Sequence, residues 1–152
     1  MSEAAHFSTK NTAIVEQLAY LIDELEAQRP WITRIPEFQL TGKPMDSTPS
    51  LLEMYIEMSR KEWEEFLPSL GILSPSTKTT PSDISGVLDL VQEGRRALVS
   101  KLEATPSSGW SDLVEGTDTN LFTFAFQITQ SDGTFLKSIA ERLHESMITF
   151  SR

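Results

Sequence analysis

Cysteine is missing from the chain, which excludes disulfides, thiolate nucleophiles and cysteine-ligated metals together. Histidine is nearly missing: His6 and His144 are the two in the sequence. Basic residues are the minority among the charged ones, 13 Lys and Arg against 22 Asp and Glu, for a formal net charge of −9. That field repels phosphate backbones and anionic lipid, so neither nucleic acid nor a membrane surface is expected as a partner. No stretch approaches the roughly 18 apolar residues of a membrane span. Met1 to Lys10 is polar and lacks the apolar core of a secretory signal, so a cytoplasmic location is expected. A glycine-rich phosphate loop and a basic–aromatic pattern for single strands are absent as well.

What the chain does have is helical periodicity, in 152 residues that suit one domain with its own core. Residues 1–10 are expected to be a mobile tail. A first helix is predicted from Asn11 to Ile35, with Ile14, Leu18, Leu21 and Leu25 on one stripe, stopped by Pro36. A second is predicted from Pro49 to Leu67, with Thr48 as N-cap, a broad apolar face through Leu51, Tyr55, Met58 and Phe66, and an end at Pro68.

The third opens with Thr80 before Pro81 and Asp83 in its first turn. Ile84, Val87, Leu88, Val91, Leu98 and Leu102 form its stripe, and Gly94 weakens its middle by about 1 kcal/mol relative to Ala. The fourth runs from Thr119 to Phe150. Phe122, Phe124 and Phe126 alternate with polar or small residues as a strand would, but no second strand exists to pair with, so a helix is preferred. Gly133 is a candidate kink. The expected fold is all-α, a four-helix bundle with long connections. The segment from Pro68 to Thr80 is long enough to cross the bundle and leave helices two and three parallel.

Two segments resemble the DinB-like (YfiT-like) metalloenzyme superfamily. Gln130-Ser131-Asp132-Gly133-Thr134-Phe135-Leu136-Lys137-Ser138-Ile139-Ala140-Glu141-Arg142-Leu143 is similar to that family's final-helix signature, His-Asp-x-x-x-His-Leu-x-x-Ile followed by Glu-Arg-Leu. Ser50-Leu51-Leu52-Glu53-Met54-Tyr55-Ile56-Glu57-Met58 looks like its Ser-x-x-Glu-Leu-x-x-His segment. The resemblance implies an up-down-down-up bundle, frequent homodimers, and in many members a divalent nickel or zinc held by three histidines. One of these comes from helix two. The other two lie four residues apart on helix four and therefore share a face. Some members are thiol-dependent transferases or hydrolases.

The positions matching those ligands here are Glu57, Ser131 and Phe135. Three-histidine chemistry is impossible with this set. The expectation is a family member with a degenerate metal site and no cofactor, acting as a small-molecule-binding or interaction module. The alternative is a metal- or thiol-dependent transferase or hydrolase with a rebuilt carboxylate site, using nickel, zinc, or a hard ion such as manganese or magnesium.

Helical phase separates the carboxylates. Glu57 points away from Leu51, Tyr55 and Trp63, with Lys61 following at i+4, as a solvated face would. Glu62 falls inside the apolar stripe, between Leu51 and Tyr55, and Asp132 projects into the stripe of Ile128, Phe135 and Ile139. Buried carboxylates need a donor or a cation, and Arg29 and Arg95 lie on the apolar sides of their helices. Either Glu62 and Asp132 belong to an ion-pair network that serves the fold, or they are perturbed acids with a chemical role. Ser131 beside Asp132 is a further polar pair. Tyr20, Trp31, Tyr55, Trp63 and Trp110 are expected to fill the core or an interface. Phe122, Phe124 and Phe126 cannot all face one core, which leaves one for the surface or a second subunit.

Overall fold

A computed structural model describes residues 9–43, 48–72 and 83–150, the side chains of 145–150 excepted. The fold is all-α. Among the described residues the one departure from helices and turns is an isolated antiparallel bridge, Leu113 with Asn120. No described helix is long and apolar enough to cross a membrane.

Helix α1 spans Thr9–Ile32, so Thr9 and Lys10 belong to a helix rather than to the expected tail, whose remainder lies outside the described residues. It carries Pro30 in its last turn and ends at Ile32 instead of Ile35, where bonds from Arg34 N to Trp31 O and Ile35 N to Ile32 O tighten the exit. A short α2, Glu37–Thr41, buries Leu40.

Helix α3 spans Leu51–Arg60. Its N-cap is Ser50, not Thr48. The Ser50 hydroxyl accepts the Glu53 N–H at 3.1 Å while the Glu53 carboxylate accepts the Ser50 N–H at 2.9 Å, a capping box that satisfies two end donors. Pro49 therefore precedes the cap. The helix then widens into a π turn, Lys61–Phe66, and closes with α4, Leu67–Ser69, which contains the Pro68 expected to end it.

Phase explains the π turn. At about 100° per residue, Leu51, Tyr55, Met58 and Glu62 share a direction, whereas Leu67 on the same unbroken spiral would point nearly opposite. One extra residue in the turn rewinds the helix by about that angle, and Leu67 is fully buried.

Helix α5 spans Ile84–Glu103. Asp83 is its N-cap, accepting from Gly86 N at 2.8 Å, rather than a first-turn residue; Thr80 and Pro81 lie outside the described residues. A 3₁₀ turn, Ser107–Ser111, and a bend at Gly116 (φ 80°) lead to α6, Leu121–Phe150. Asn120 caps α6 through Thr123 N at 2.8 Å, so it starts two residues later than expected, and it runs unbroken through Gly133.

The core falls into two clusters. Leu21, Leu25 and Ile32 of α1 meet Leu51, Tyr55 and Met58 of α3, Ile84, Val87, Leu88 and Val91 of α5, and Ile139 of α6. Ile14, Val15 and Leu18 meet Leu67, Leu98, Leu102, Leu121, Ala125 and Ile128, with Trp110 and Val114 closing that end. The order of residues in the two clusters sets the chain directions. Helices α1 and α6 run one way, and α3 and α5 run the other.

Candidate functional site

Four elements converge on one guanidinium between the two clusters. Arg95 stands in phase with Val91, Leu98 and Leu102 on α5, so its periodicity carries it into the core. Glu62 lies in the π turn and Asp132 lies midway along α6. Arg95 and Glu62 are 0% exposed and Asp132 is 2% exposed. Arg95 Nε donates to Glu62 Oε2 at 3.0 Å and Nη2 to Glu62 Oε1 at 2.9 Å. Nη2 also donates to Asp132 Oδ1 at 2.9 Å, and Nη1 to Asp132 Oδ2 and to the Leu18 carbonyl at 3.1 Å. All the N–H donors that a guanidinium owns are thereby used, and so is each of the four carboxylate oxygens.

Two carboxylates face one cation here. Burial pushes the Asp132 carboxyl above its ordinary range, Arg95 offsets part of that, and Glu62 adds to it. Burial alone would lower Arg95, but Glu62 and Asp132 outweigh it and hold the guanidinium above its usual value. Gly94 packs beside this centre: a Cβ there would meet Glu62 Cγ at 2.8 Å and both Trp63 and Leu67 at 3.2 Å. Trp63 in turn donates its indole N–H to the Leu90 carbonyl at 2.9 Å.

On the outer side of the same two helices lies an open groove of about 660 Å3, lined from α3 and the turns flanking it by Pro49, Glu53, Met54, Glu57, Met58 and Lys61. The α6 wall supplies Gln130, Ser131, Thr134, Phe135 and Ser138. Phe135 forms part of the floor and meets the Tyr55 ring edge to face, centroids 5.4 Å apart; the Tyr55 hydroxyl donates to Gln28 Oε1 at 2.6 Å beneath it. Glu57 is exposed, and its carboxylate is gripped by Arg60, Nε to Oε2 at 2.9 Å and Nη2 to Oε1 at 2.6 Å. That bond holds it below the usual carboxylate range. Arg60 makes the contact pair in place of the expected Lys61, whose charge acts on Glu57 at longer range, because the planar Arg60 fork reaches both oxygens.

The positions matched to the family's ligands, Glu57, Ser131 and Phe135, thus line one groove, whereas Glu62 and Asp132 sit behind it in the core. Ser131 and Asp132 point about 100° apart on α6, one toward the groove and the other into the core, and form no hydrogen bond with each other among the described residues. Arg29 does not reach either buried carboxylate. It donates to Ser85 Oγ at 3.0 Å, Asp89 Oδ1 at 2.8 Å and Gln92 Oε1 at 2.7 Å at another level of α5. Tyr55 and Trp110 are core residues, Trp63 is half-buried, and Tyr20 and Trp31 are exposed and so lie outside the core. Of the three phenylalanines Phe126 is the exposed one, at 45%. His144 is exposed, and His6 lies outside the described residues.

The groove residues missed from sequence are Met54, Met58, Lys61, Gln130, Thr134 and Ser138. Met54 and Lys61, three and four residues from Glu57, and Thr134, three residues from Ser131, carried a helical-spacing signal. A divalent ion of the three-histidine kind does not fit this groove. Phe135 has no donor atom, Ser131 offers a neutral hydroxyl, and both Glu57 oxygens are held by Arg60. Among the described residues no group of three or more His, Cys, Asp or Glu side chains is placed to hold a metal ion. Comparison of the chain with family models, with curated proteins and with solved structures finds no match.

Proposed function

We propose that this protein is a DinB-like four-helix bundle that has lost the three-histidine metal site and binds a small organic molecule in the groove between α3 and α6. The observation that carries the reading is the meeting of Glu57, Ser131 and Phe135 in one groove of ligand size, with an apolar residue and two non-histidine side chains where the resemblance implies imidazoles. The reading with a rebuilt carboxylate site is weaker. Glu62 and Asp132 have every oxygen occupied by Arg95, which leaves Glu57 as its one accessible carboxylate. A homodimer with Phe126 at the contact and a cytoplasmic location belong to the same proposal.

Two measurements test it. Elemental analysis of the purified protein, with melting curves under chelator and with added Ni, Zn, Mn or Mg, is expected to give no stoichiometric metal and no shift in Tm. A fragment screen followed by amide NMR is expected to give hits that perturb Met54, Met58 and Phe135 and are lost in Thr134→Trp, which fills the groove from its exposed wall. One metal per chain with a chelator-sensitive Tm, or fragments that leave those residues untouched, would overturn the proposal.

A further inference from the structure

The charges around the groove are unequal in a way that selects its occupant. Arg60 holds both oxygens of Glu57 and also reaches Glu64 and Glu65, at 3.9 and 2.5 Å. Glu53 accepts the Ser50 N–H and pairs with Lys43 at 3.4 Å. Both carboxylates on the groove wall therefore have a basic partner, although Arg60 is shared among three acids. Lys61 also lines the groove, is half-buried, and makes no contact ion pair among the described residues, although its charge acts on Glu57 at longer range.

Helix direction then places polar groups at the two ends. Since α3 and α6 are antiparallel, Lys61 lies level with Gln130 and Ser131, and Pro49 lies near Arg142, which donates to the Pro49 carbonyl. One end of the groove thus gathers an ammonium, an amide and a hydroxyl, all able to donate. Between the ends the apolar surface is Met54 and Phe135, with the buried Met58 behind them, and methionine side chains adapt to irregular apolar bodies.

We infer that the groove takes an amphipathic carboxylate: an apolar chain or ring laid on Met54 and Phe135, with its carboxylate beside Lys61 and Ser131. The inference rests on the groove reading proposed above. The net charge of −9 opposes any anion at long range, but at physiological ionic strength charges beyond about 8 Å are largely screened, and the basic side chain on the groove wall, Lys61, makes no contact ion pair among the described residues.

The test uses the full chain and three eight-carbon probes below their micelle concentrations: octanoate, octan-1-ol and octylammonium, followed by calorimetry and amide NMR at pH 7. Octanoate is expected to bind about tenfold more tightly than octanol, with octylammonium weakest and the shifts centred on Lys61, Ser131 and Phe135. Lys61→Met should bring octanoate down to the level of octanol and leave octanol unchanged, with an unaltered Tm; Lys61→Arg should keep the preference. If all three probes occupy the groove equally, or Lys61→Met changes nothing, the carboxylate assignment falls while the groove remains a binding site. If none of them perturbs a groove residue, both readings fall.

Discussion

The two polar regions of this molecule are built by neighbouring residues of the same helical elements, and they behave oppositely. Lys61 and Ser131 face the open groove; Glu62 and Asp132, one residue further along in each case, face the sealed centre around Arg95. In the groove, carboxylates sit in water and their partners are surface arginine and lysine, so each pair contributes little to stability. In the centre the same chemistry is removed from water, and every donor and acceptor has been supplied with a partner. Burial of ionisable groups is a frequent sign of function. Here the buried set is saturated and the accessible set is incomplete, so a ligand has more to gain at the surface site than at the perturbed one.

The largest expected effect comes from breaking the saturated centre. Arg95→Met keeps much of the side-chain volume but leaves two carboxylates without a cation. It is expected to cost about 3–5 kcal/mol, read from urea unfolding. The triple replacement Arg95→Met, Glu62→Leu, Asp132→Leu should recover most of that loss, because removing a whole buried ion network is far cheaper than orphaning part of it. If the single variant loses under about 1 kcal/mol, water reaches the centre and the contrast with the groove dissolves.

Two glycines sharpen the same contrast at smaller scale. Gly94 faces the centre and Gly133 follows Asp132 on the outward side of α6, where an added Cβ meets nothing within 4 Å. Alanine at either site gains helix propensity of up to about 1 kcal/mol. At Gly94 the new methyl collides with Glu62, a side chain pinned by Arg95, so Gly94→Ala is expected to be net destabilising by about 1–3 kcal/mol. Gly133→Ala should be stabilising by about 0.5–1 kcal/mol. Thermal melts of the two variants check the opposite signs, and equal signs would mean that the centre yields where packing says it cannot.

How much of this was legible depended on whether the cause was local. The stripes of Ile14–Leu25 and Ile84–Leu102 marked their helices, and phase alone put Glu62, Arg95 and Asp132 inside. Arg29 has the same phase signature as Arg95, yet it sits higher on α1, where Ser85, Asp89 and Gln92 meet it first. The capping box was written in Ser50 and Glu53, but Thr48 before Pro49 imitates a start signal just upstream. The π turn has no signature in its own residues, since it is set by where Leu67 must land in the core. The groove was hidden for a related reason: Lys61 meets Gln130 and Ser131 only through the antiparallel placement of α3 and α6, which no short window of sequence contains. Gly94 was read as a weakness of its helix and is instead the space into which Glu62 fits.

The finest distinction between the two regions is protonation. In the folded protein burial holds the Asp132 carboxyl above its ordinary range, against the pull of Arg95. Folding therefore favours its protonated form. That contribution is present below the ordinary carboxylate value of about 3.9 and is lost as pH rises through the raised folded value. Glu57 is the opposite case: Arg60 holds it low, so its contribution is present above the ordinary value and fades as pH falls. Asp132→Asn keeps the shape and one acceptor for Arg95 but cannot titrate. The difference in unfolding free energy, variant minus parent, is expected to grow as pH rises from about 4 and to level off once Asp132 has ionised. Urea unfolding of both proteins from pH 4 to 8 measures it. A difference that instead shrinks as pH rises would mean that Arg95 outweighs burial and holds Asp132 below its ordinary range.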